Sequence, residues 1–239
     1  MSDVVELAEG LWAIGQRKGG RVHAFLCDDG TELTLVDTLF DTDGARVLEQ
    51  IERIGRQPSD LRHIVLTHAH RSHLGGLATL KAATNATVYS HEWEADIVGG
   101  ERVAERPGIV PRSPLRTYVP FQLFAALGKG KHRPCPVDNH VADGDRVGPL
   151  HVIDASGHSV GHLAFVWPER SALISGDSIA TWPDWLPGWG NFTLNERQHR
   201  ATLRRLADVD ATILGVGHGE PIQHGAGERV RDLVDAYLK

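Results

Sequence analysis

The chain runs twice from β-strand into helix, and this doubled order restricts its fold more than any other feature. Residues 4–7 and 11–14 flank a turn at Glu9-Gly10. Residues 22–27 are followed by a turn at Asp28-Asp29-Gly30 and a run over 33–37. Asp-Gly between two apolar runs is a hairpin signal, because glycine supplies the positive φ that tight turns need. The period then changes. Val47, Leu48, Ile51 and Ile54 mark one face of a helix over 45–54, which Gly55 stops. A strand over 63–66, a helix over 73–83 packed through Leu74, Leu77 and Leu80, a strand over 87–89 and a helix over 92–98 complete the half.

The second half repeats the order. Strands are predicted over 150–154, 163–167 and 172–175, and a last one over 212–214. Thr193 and Glu196 fit a capping box opening a helix to about Leu206, and a closing helix over 228–238 turns Val230, Leu233, Val234 and Tyr237 inward. No repeat of a solenoid kind is evident. Two β-then-α halves predict two sheets packed face to face with helices outside, in one domain over 1–239.

Residues 99–141 interrupt this rhythm. Pro107, Pro111, Pro114, Pro120, Pro134 and Pro136 punctuate them, and Phe121, Leu123, Phe124 and Leu127 form one amphipathic piece. A linker would not hold so many large apolar groups. This excursion must therefore bury them against the body, a substrate or a partner chain, the last implying a homodimer. At 239 residues the chain is long enough for a substantial core, and its net charge of -6, with 31 acidic against 25 basic residues, gives no electrostatic case for nucleic acid. Met1-Ser2-Asp3-Val4-Val5-Glu6 lacks the basic start and apolar centre of a secretory signal, and no run approaches the ~18 apolar residues of a membrane span. A cytoplasmic location without a membrane is expected. Cys27 and Cys135 form no Cys-x-x-Cys pair and are read as buried free thiols.

Histidine is the unusual component, at 14 residues. Thr67-His68-Ala69-His70-Arg71-Ser72-His73 follows the apolar run Ile64-Val65-Leu66 and precedes Gly75-Gly76. An H-x-H spacing at a strand exit lets two imidazoles converge on one metal ion, and His73 is placed to reach a neighbouring ion. Other polar residues also end apolar runs: Asp37 after 33–36, His158 in Ser156-Gly157-His158, Asp177 in Ser175-Gly176-Asp177-Ser178, and His218 in Gly217-His218-Gly219. Side chains at successive strand ends meet along one sheet edge, and flanking glycines allow the backbone to approach closely.

In these five motifs, from Val36-Asp37-Thr38 through Gly217-His218-Gly219, the chain resembles the metallo-β-lactamase-fold hydrolase superfamily. The resemblance leaves only the excursion uncovered, and it implies an α+β, four-layer αββα sandwich of two mixed sheets with a metal site at one edge. It implies that His68, His70 and His158 hold a first zinc, that His73 and His218 hold a second, and that Asp177 bridges them. Manganese or iron suits the same donors. Asp37 would supply a hydrogen bond that holds a ligand histidine or a water. A lone histidine is more often a hydrogen-bonded core or surface residue, but five in matching motifs are not five coincidences. His23, His63, His91, His132, His140, His151, His162, His199 and His224 match no motif and are read as structural or solvated. His162 stands nearest to one, four residues after His158.

One position departs from the family pattern. The motif H-x-H-x-D-H reads His68-Ala69-His70-Arg71-Ser72-His73 here, with serine where an aspartate ligates the second metal and orients the attacking water. Three readings follow. Ser72 still contacts the metal or its water and a one- or two-metal hydrolase survives, attacking an acyl carbonyl with metal-bound hydroxide. Alternatively a single metal serves an elimination, cyclisation or redox step, or the protein is a non-catalytic metal-binding relative. Trp182, Trp185 and Trp189 either wall an apolar pocket or close the core beneath their loop. With Phe121 and Phe124 they favour an apolar small-molecule acyl substrate, an ester, lactone or thioester. Arg112 and Arg116 are read as surface residues rather than as anion partners.

Overall fold

The structure, a computed structural model, describes residues 4–105 and 132–239, with Val119 and Leu123 between them. Among these residues the strands form two sheets. The first has seven strands in sequence order: β1 (Val4–Ala8), β2 (Leu11–Gln16), β3 (Val22–Asp28), β4 (Leu33–Val36), β5 (Leu61–Val65), β6 (Thr87–Ser90) and β7 (Asn139–His140). The second contains β8 (Arg146–Val147), β9 (Leu150–Asp154), β10 (Leu163–Trp167), β11 (Ala172–Ile174) and β12 (Ile213–Gly215), in the order β12-β11-β10-β9-β8. Each sheet starts antiparallel and ends parallel: β1 to β4 form a meander and β4 to β7 pair in parallel, as do β11 and β12. The change follows from the connections, since short turns join antiparallel neighbours and helical crossovers join parallel ones.

One helical turn, α1 (Lys18–Arg21), links β2 to β3 and is broken by Gly19 and Gly20 at φ 82 and 92. The crossover helices of the first half are α2 (Ala45–Arg53), α3 (Leu77–Thr84) and α4 (Glu92–Val98); in the second half α5 (Glu196–Ala207) crosses from β11 to β12 and α6 (Ala226–Leu238) follows β12. Strand alternation sorts the apolar side chains into three layers of core. Phe25, Cys27, Val36 and Val65 meet Leu150, Val152, Leu163, Phe165 and Ile174 between the sheets. Leu26, Leu33, Leu35 and Ile64 face away, onto Val47, Ile51, Leu77 and Leu80 of the first helical layer. Leu173 and Leu214 meet Leu203, Leu206, Val230 and Leu233 of the second. The result is the αββα sandwich that the resemblance implies. Both cysteines are buried and free, and no helix is long and apolar enough to cross a membrane.

Local structure departs from the sequence reading in three places. The helix expected from His73 starts instead at Leu77, because the preceding backbone is engaged elsewhere. Gly75 N donates to Leu39 O and Gly76 N to Thr38 O, and a Cβ on Gly75 would stand 2.2 Å from Phe40 O. Helix α5 is capped not by Thr193 but by Asn195, whose side chain accepts from Gln198 N, while Thr193 Oγ1 donates to Trp189 O. Asparagine is as good an N-cap as threonine, and the turn geometry selects it. The end of the excursion already belongs to the sheet: Cys135 N donates to Val98 O and β7 pairs with β6. Phe121, Phe124, Arg112, Arg116 and any dimer contact they make lie outside the described residues.

Candidate metal centre

The C-terminal ends of β4, β5, β9, β11 and β12 meet along one edge of the sandwich. Backbone contacts join the two sheets there: Leu163 N donates to Thr67 O, and His23 N to Gly217 O. This brings all six sequence-predicted donors together in two groups that share Asp177, namely His68, His70, His158 and Asp177, and His73, Asp177 and His218. His68, His73, His158, Asp177 and His218 are buried, while His70 is half-buried.

In the first group His68 Nε2 stands 2.9 Å from His70 Nδ1, which stands 3.1 Å from His158 Nε2. Asp177 Oδ2 lies 3.7 Å from His68 Nε2 and 3.5 Å from His158 Nε2. These separations bracket the ~3.4 Å edge of a tetrahedron whose ligand atoms stand about 2.1 Å from one ion. In the second group Asp177 Oδ2 is 3.4 Å from His218 Nε2, and Asp177 Oδ1 is 3.4 Å from His73 Nε2. The last two atoms face each other across a gap too long for a good hydrogen bond, and both are buried without a hydrogen-bond partner. Orphaned buried donor atoms, drawn from imidazoles and a carboxylate, fit zinc, manganese or iron. Gly217 keeps this space open, since a Cβ there would come within 2.0 Å of Asp177 Oδ1.

The far side of most rings is fixed by hydrogen bonds. Asp37, held at φ 60, accepts from Thr67 N and Thr67 Oγ1 at 2.9 and 2.7 Å, and pairs with His73 Nδ1 at 2.9 Å. Thr67 Oγ1 in turn lies 2.9 Å from His68 Nδ1. Since the hydroxyl donates to Asp37, the network assigns the proton of His68 to Nδ1 and leaves Nε2 facing the centre. Gly20 O accepts from His218 Nδ1 at 2.8 Å with the same effect. His158 has no such support, for its Nδ1 is buried without a hydrogen-bond partner.

Electrostatics agree with this geometry. Burial, with the neighbouring His73 and His70 imidazoles, holds His68 well below the usual histidine range. Burial likewise lowers His158 strongly and brings His70 down to about 4, although Asp177 opposes both. Burial also lowers His73, but Asp177 and Asp37 on either side outweigh it and push the ring up to about 10. The Asp177 carboxyl is raised by burial and lowered more by His218 and His73, so it stays ionised. The first group therefore offers neutral imidazole nitrogens beside a carboxylate, the protonation state that metal ligation requires.

A sequence profile of the metallo-β-lactamase superfamily matches residues 17–218, a span holding every donor of both groups. The chain belongs to the metallo-β-lactamase superfamily. It is 25% identical over 230 residues to the uncharacterized protein YobT of Bacillus subtilis, across 91% of each chain. It is 32% identical over 163 residues to a hydroxyacylglutathione hydrolase of Cereibacter sphaeroides, across 66% of this chain but 48% of that one, so it spans about half the length of that relative. A crystal structure of a metallo-β-lactamase family protein from Thermus thermophilus superposes with a TM-score of 0.71 at 25% identity, over 98% of this chain and 81% of the other.

Within this metallo-β-lactamase fold, Ser72 is half-buried between His70 and His73. Asp177 is accordingly the carboxylate shared by both donor groups, and no second one joins them among the described residues. Arg71 points away, stacking on Phe40 at 4.3 Å and donating to its carbonyl oxygen.

Sequence reasoning missed two supporting residues. Glu94 on α4 is 2% exposed and accepts from Ala69 N at 2.9 Å and Gly161 N at 3.0 Å, tying the His68–His70 loop to the His158 loop. His162, read as structural or solvated, is fully buried and accepts from Asp177 N at 3.1 Å, holding the turn that carries the shared carboxylate. Its i+4 spacing from His158 was the available signal; a glutamate on an amphipathic helix carried none.

The tryptophan loop divides. Trp189 is buried, lies 4.5 Å from the His218 ring and 5.5 Å from Phe192, and donates to Trp182 O. Trp185 turns to the outer helical layer, where Arg229 covers it. Trp189 therefore backs the centre as packing, and Trp185 takes no part in it.

Proposed function

We propose that the protein is a metal-dependent hydrolase that cleaves an ester, lactone or thioester of an apolar small molecule. The observation that carries this is the convergence of His68, His70, His158 and Asp177 at ion-sized separations, with His73 and His218 on the other side of the same carboxylate. When bound, zinc supplies Lewis acidity and lowers the pKa of water from 15.7 to about 7. His68, His70 and His158 would hold the first ion through Nε2, Nδ1 and Nε2, and Asp177 would share its oxygens between that ion and one at His73 and His218. Asp37 keeps the His73 ring turned inward and, through Thr67, does the same for His68. Buried Trp189 and Phe192 exclude water from the His218 side. The superfamily supports hydrolysis, and relatives named hydroxyacylglutathione hydrolase, which are thioester hydrolases, favour a thioester within this group.

Ser72 favours a second reading. Without its aspartate the second site binds an ion weakly, and a single metal then serves a non-hydrolytic elimination, cyclisation or redox step. One experiment separates the two. The protein is stripped with chelator, reloaded with zinc, manganese or iron, analysed for ions per chain, and assayed on thioesters, lactones, esters and a β-lactam. Hydrolysis restored by metal supports the first reading, and full turnover without metal refutes it. One ion per chain with no hydrolysis of any substrate favours the second.

A further inference from the structure

Exposed apolar surface concentrates beside one side of the metal centre. Trp93, Val160 and Leu194 are 56%, 44% and 37% exposed, and all three line a single open cleft. Ile97 and Ala104 add to its apolar wall, and His70 of the first donor group lines it as well. Val103, 79% exposed, stands in the segment between two wall residues. Large apolar side chains left in water on one patch mark a binding surface.

Two of the charged residues in the wall, Glu94 and Arg102, are already engaged. The Arg102 guanidinium is held by Asp96 through two hydrogen bonds, at 2.7 and 3.0 Å. Glu94 spends both oxygens on backbone N–H groups, and Glu105 adds an exposed negative charge at the rim. Among the described residues of this wall, an anionic group would find no available cation. A hydrocarbon would find five apolar neighbours, and Ser159, whose buried hydroxyl makes no hydrogen bond, to meet a nearby oxygen. The aromatic group Trp182, Trp189 and Phe192 is packed on itself, on His218 and, through Phe192, edge-on against His70, and none of the three lines the cleft.

We propose that this cleft seats the uncharged hydrocarbon part of the substrate's acyl group, a short aliphatic chain or a single ring, with its carbonyl directed toward His70. The assignment deepens the hydrolase reading and rests on it for the word acyl. Because His70 belongs to both the cleft wall and the first donor group, a ligand in the cleft is already at the centre.

The test reads binding rather than turnover. Acetate, butyrate, hexanoate and benzoate are titrated by calorimetry into the zinc-loaded full-length protein, and into Trp93→Ala and Leu194→Asp. Both changes fall on solvent-exposed side chains, and circular dichroism checks that the fold is kept. Hexanoate and benzoate should bind about tenfold more tightly than acetate, as expected for burying apolar area equivalent to about two methylenes. Both variants should abolish that advantage while changing acetate by less than about twofold. An affinity ladder unchanged in the variants, or no ladder in the wild type, overturns the proposal. If the ladder collapses as expected but no ester, lactone or thioester is hydrolysed, the cleft stands as a hydrocarbon site and the hydrolase reading falls. If hydrolysis occurs and the ladder survives both substitutions, the cleft assignment alone falls.

Discussion

Replacing Glu94 tests whether one buried side chain holds the candidate centre together. Its carboxylate bridges Ala69 N, between His68 and His70, and Gly161 N, three residues beyond His158. Hydrogen bonds to a charged acceptor contribute about 1.5–3 kcal/mol each, and a buried N–H left unpaired is penalised by a similar amount. Glu94→Gln keeps one acceptor but turns an amide NH2 against the second backbone donor, so it should destabilise the fold by about 2–3 kcal/mol. Glu94→Ala removes both acceptors, leaves a void and should destabilise by about 4 kcal/mol. At this chain length the glutamine variant corresponds to a fall in Tm of about 4–12 °C. Urea unfolding of chelator-treated protein measures this without a contribution from bound metal. A parallel titration with cobalt, followed through its ligand-field spectrum, measures the first donor group. The glutamine variant should bind the first ion more weakly, because the loop bearing His68 and His70 is no longer tied to the loop bearing His158. A stability loss under about 0.5 kcal/mol together with unchanged cobalt affinity would refute the bridging role.

Three further predictions concern the site and its frame. Ser72→Asp restores the missing carboxylate and should raise zinc content toward two ions per chain; elemental analysis that finds no increase argues against a weakened second site. Asp37→Asn removes the charged acceptor behind His73 and Thr67, so metal affinity in a chelator competition should fall roughly 10–100-fold. Asp138 accepts from Lys81 Nζ and Val88 N, which outweigh its burial and hold its carboxyl below the usual range. Its contribution is fully present above the unfolded carboxylate value near 3.9 and is lost as pH falls through the lower folded value. Compared with Asp138→Asn, the wild type should therefore lose stability more steeply between about pH 5 and pH 2 in acid titrations followed by circular dichroism.

Local periodicity was enough to read the strands other than the two-residue β7 and β8, the helices over 45–54 and 92–98, and the doubled β-then-α order. Burial leaves a plain record in sequence where a strand supplies apolar residues to a sheet face, and exposed Asn139–His140 supplies none. The helix starts at Leu77 and Glu196 were misplaced because competing local options exist there. Gly75 and Gly76 spend their N–H groups on the loop at Thr38–Leu39, and Asn195 outcompetes Thr193 as the cap.

By itself the sequence determined which side chains stand at strand ends: His68, His70, His73, His158, Asp177 and His218, with serine at 72 where a carboxylate was expected. A strand exit is a local property, set by the apolar run before it and the glycine after it. Only the tertiary structure decided that Asp177 lies between two histidine groups, that Glu94 and His162 support them, and that Trp93, Val160 and Leu194 line one cleft with His70. Those relations join residues as far apart as His68 and Asp177, separated by 109 positions, and such distances in space follow from the packing of the two sheets rather than from any local pattern.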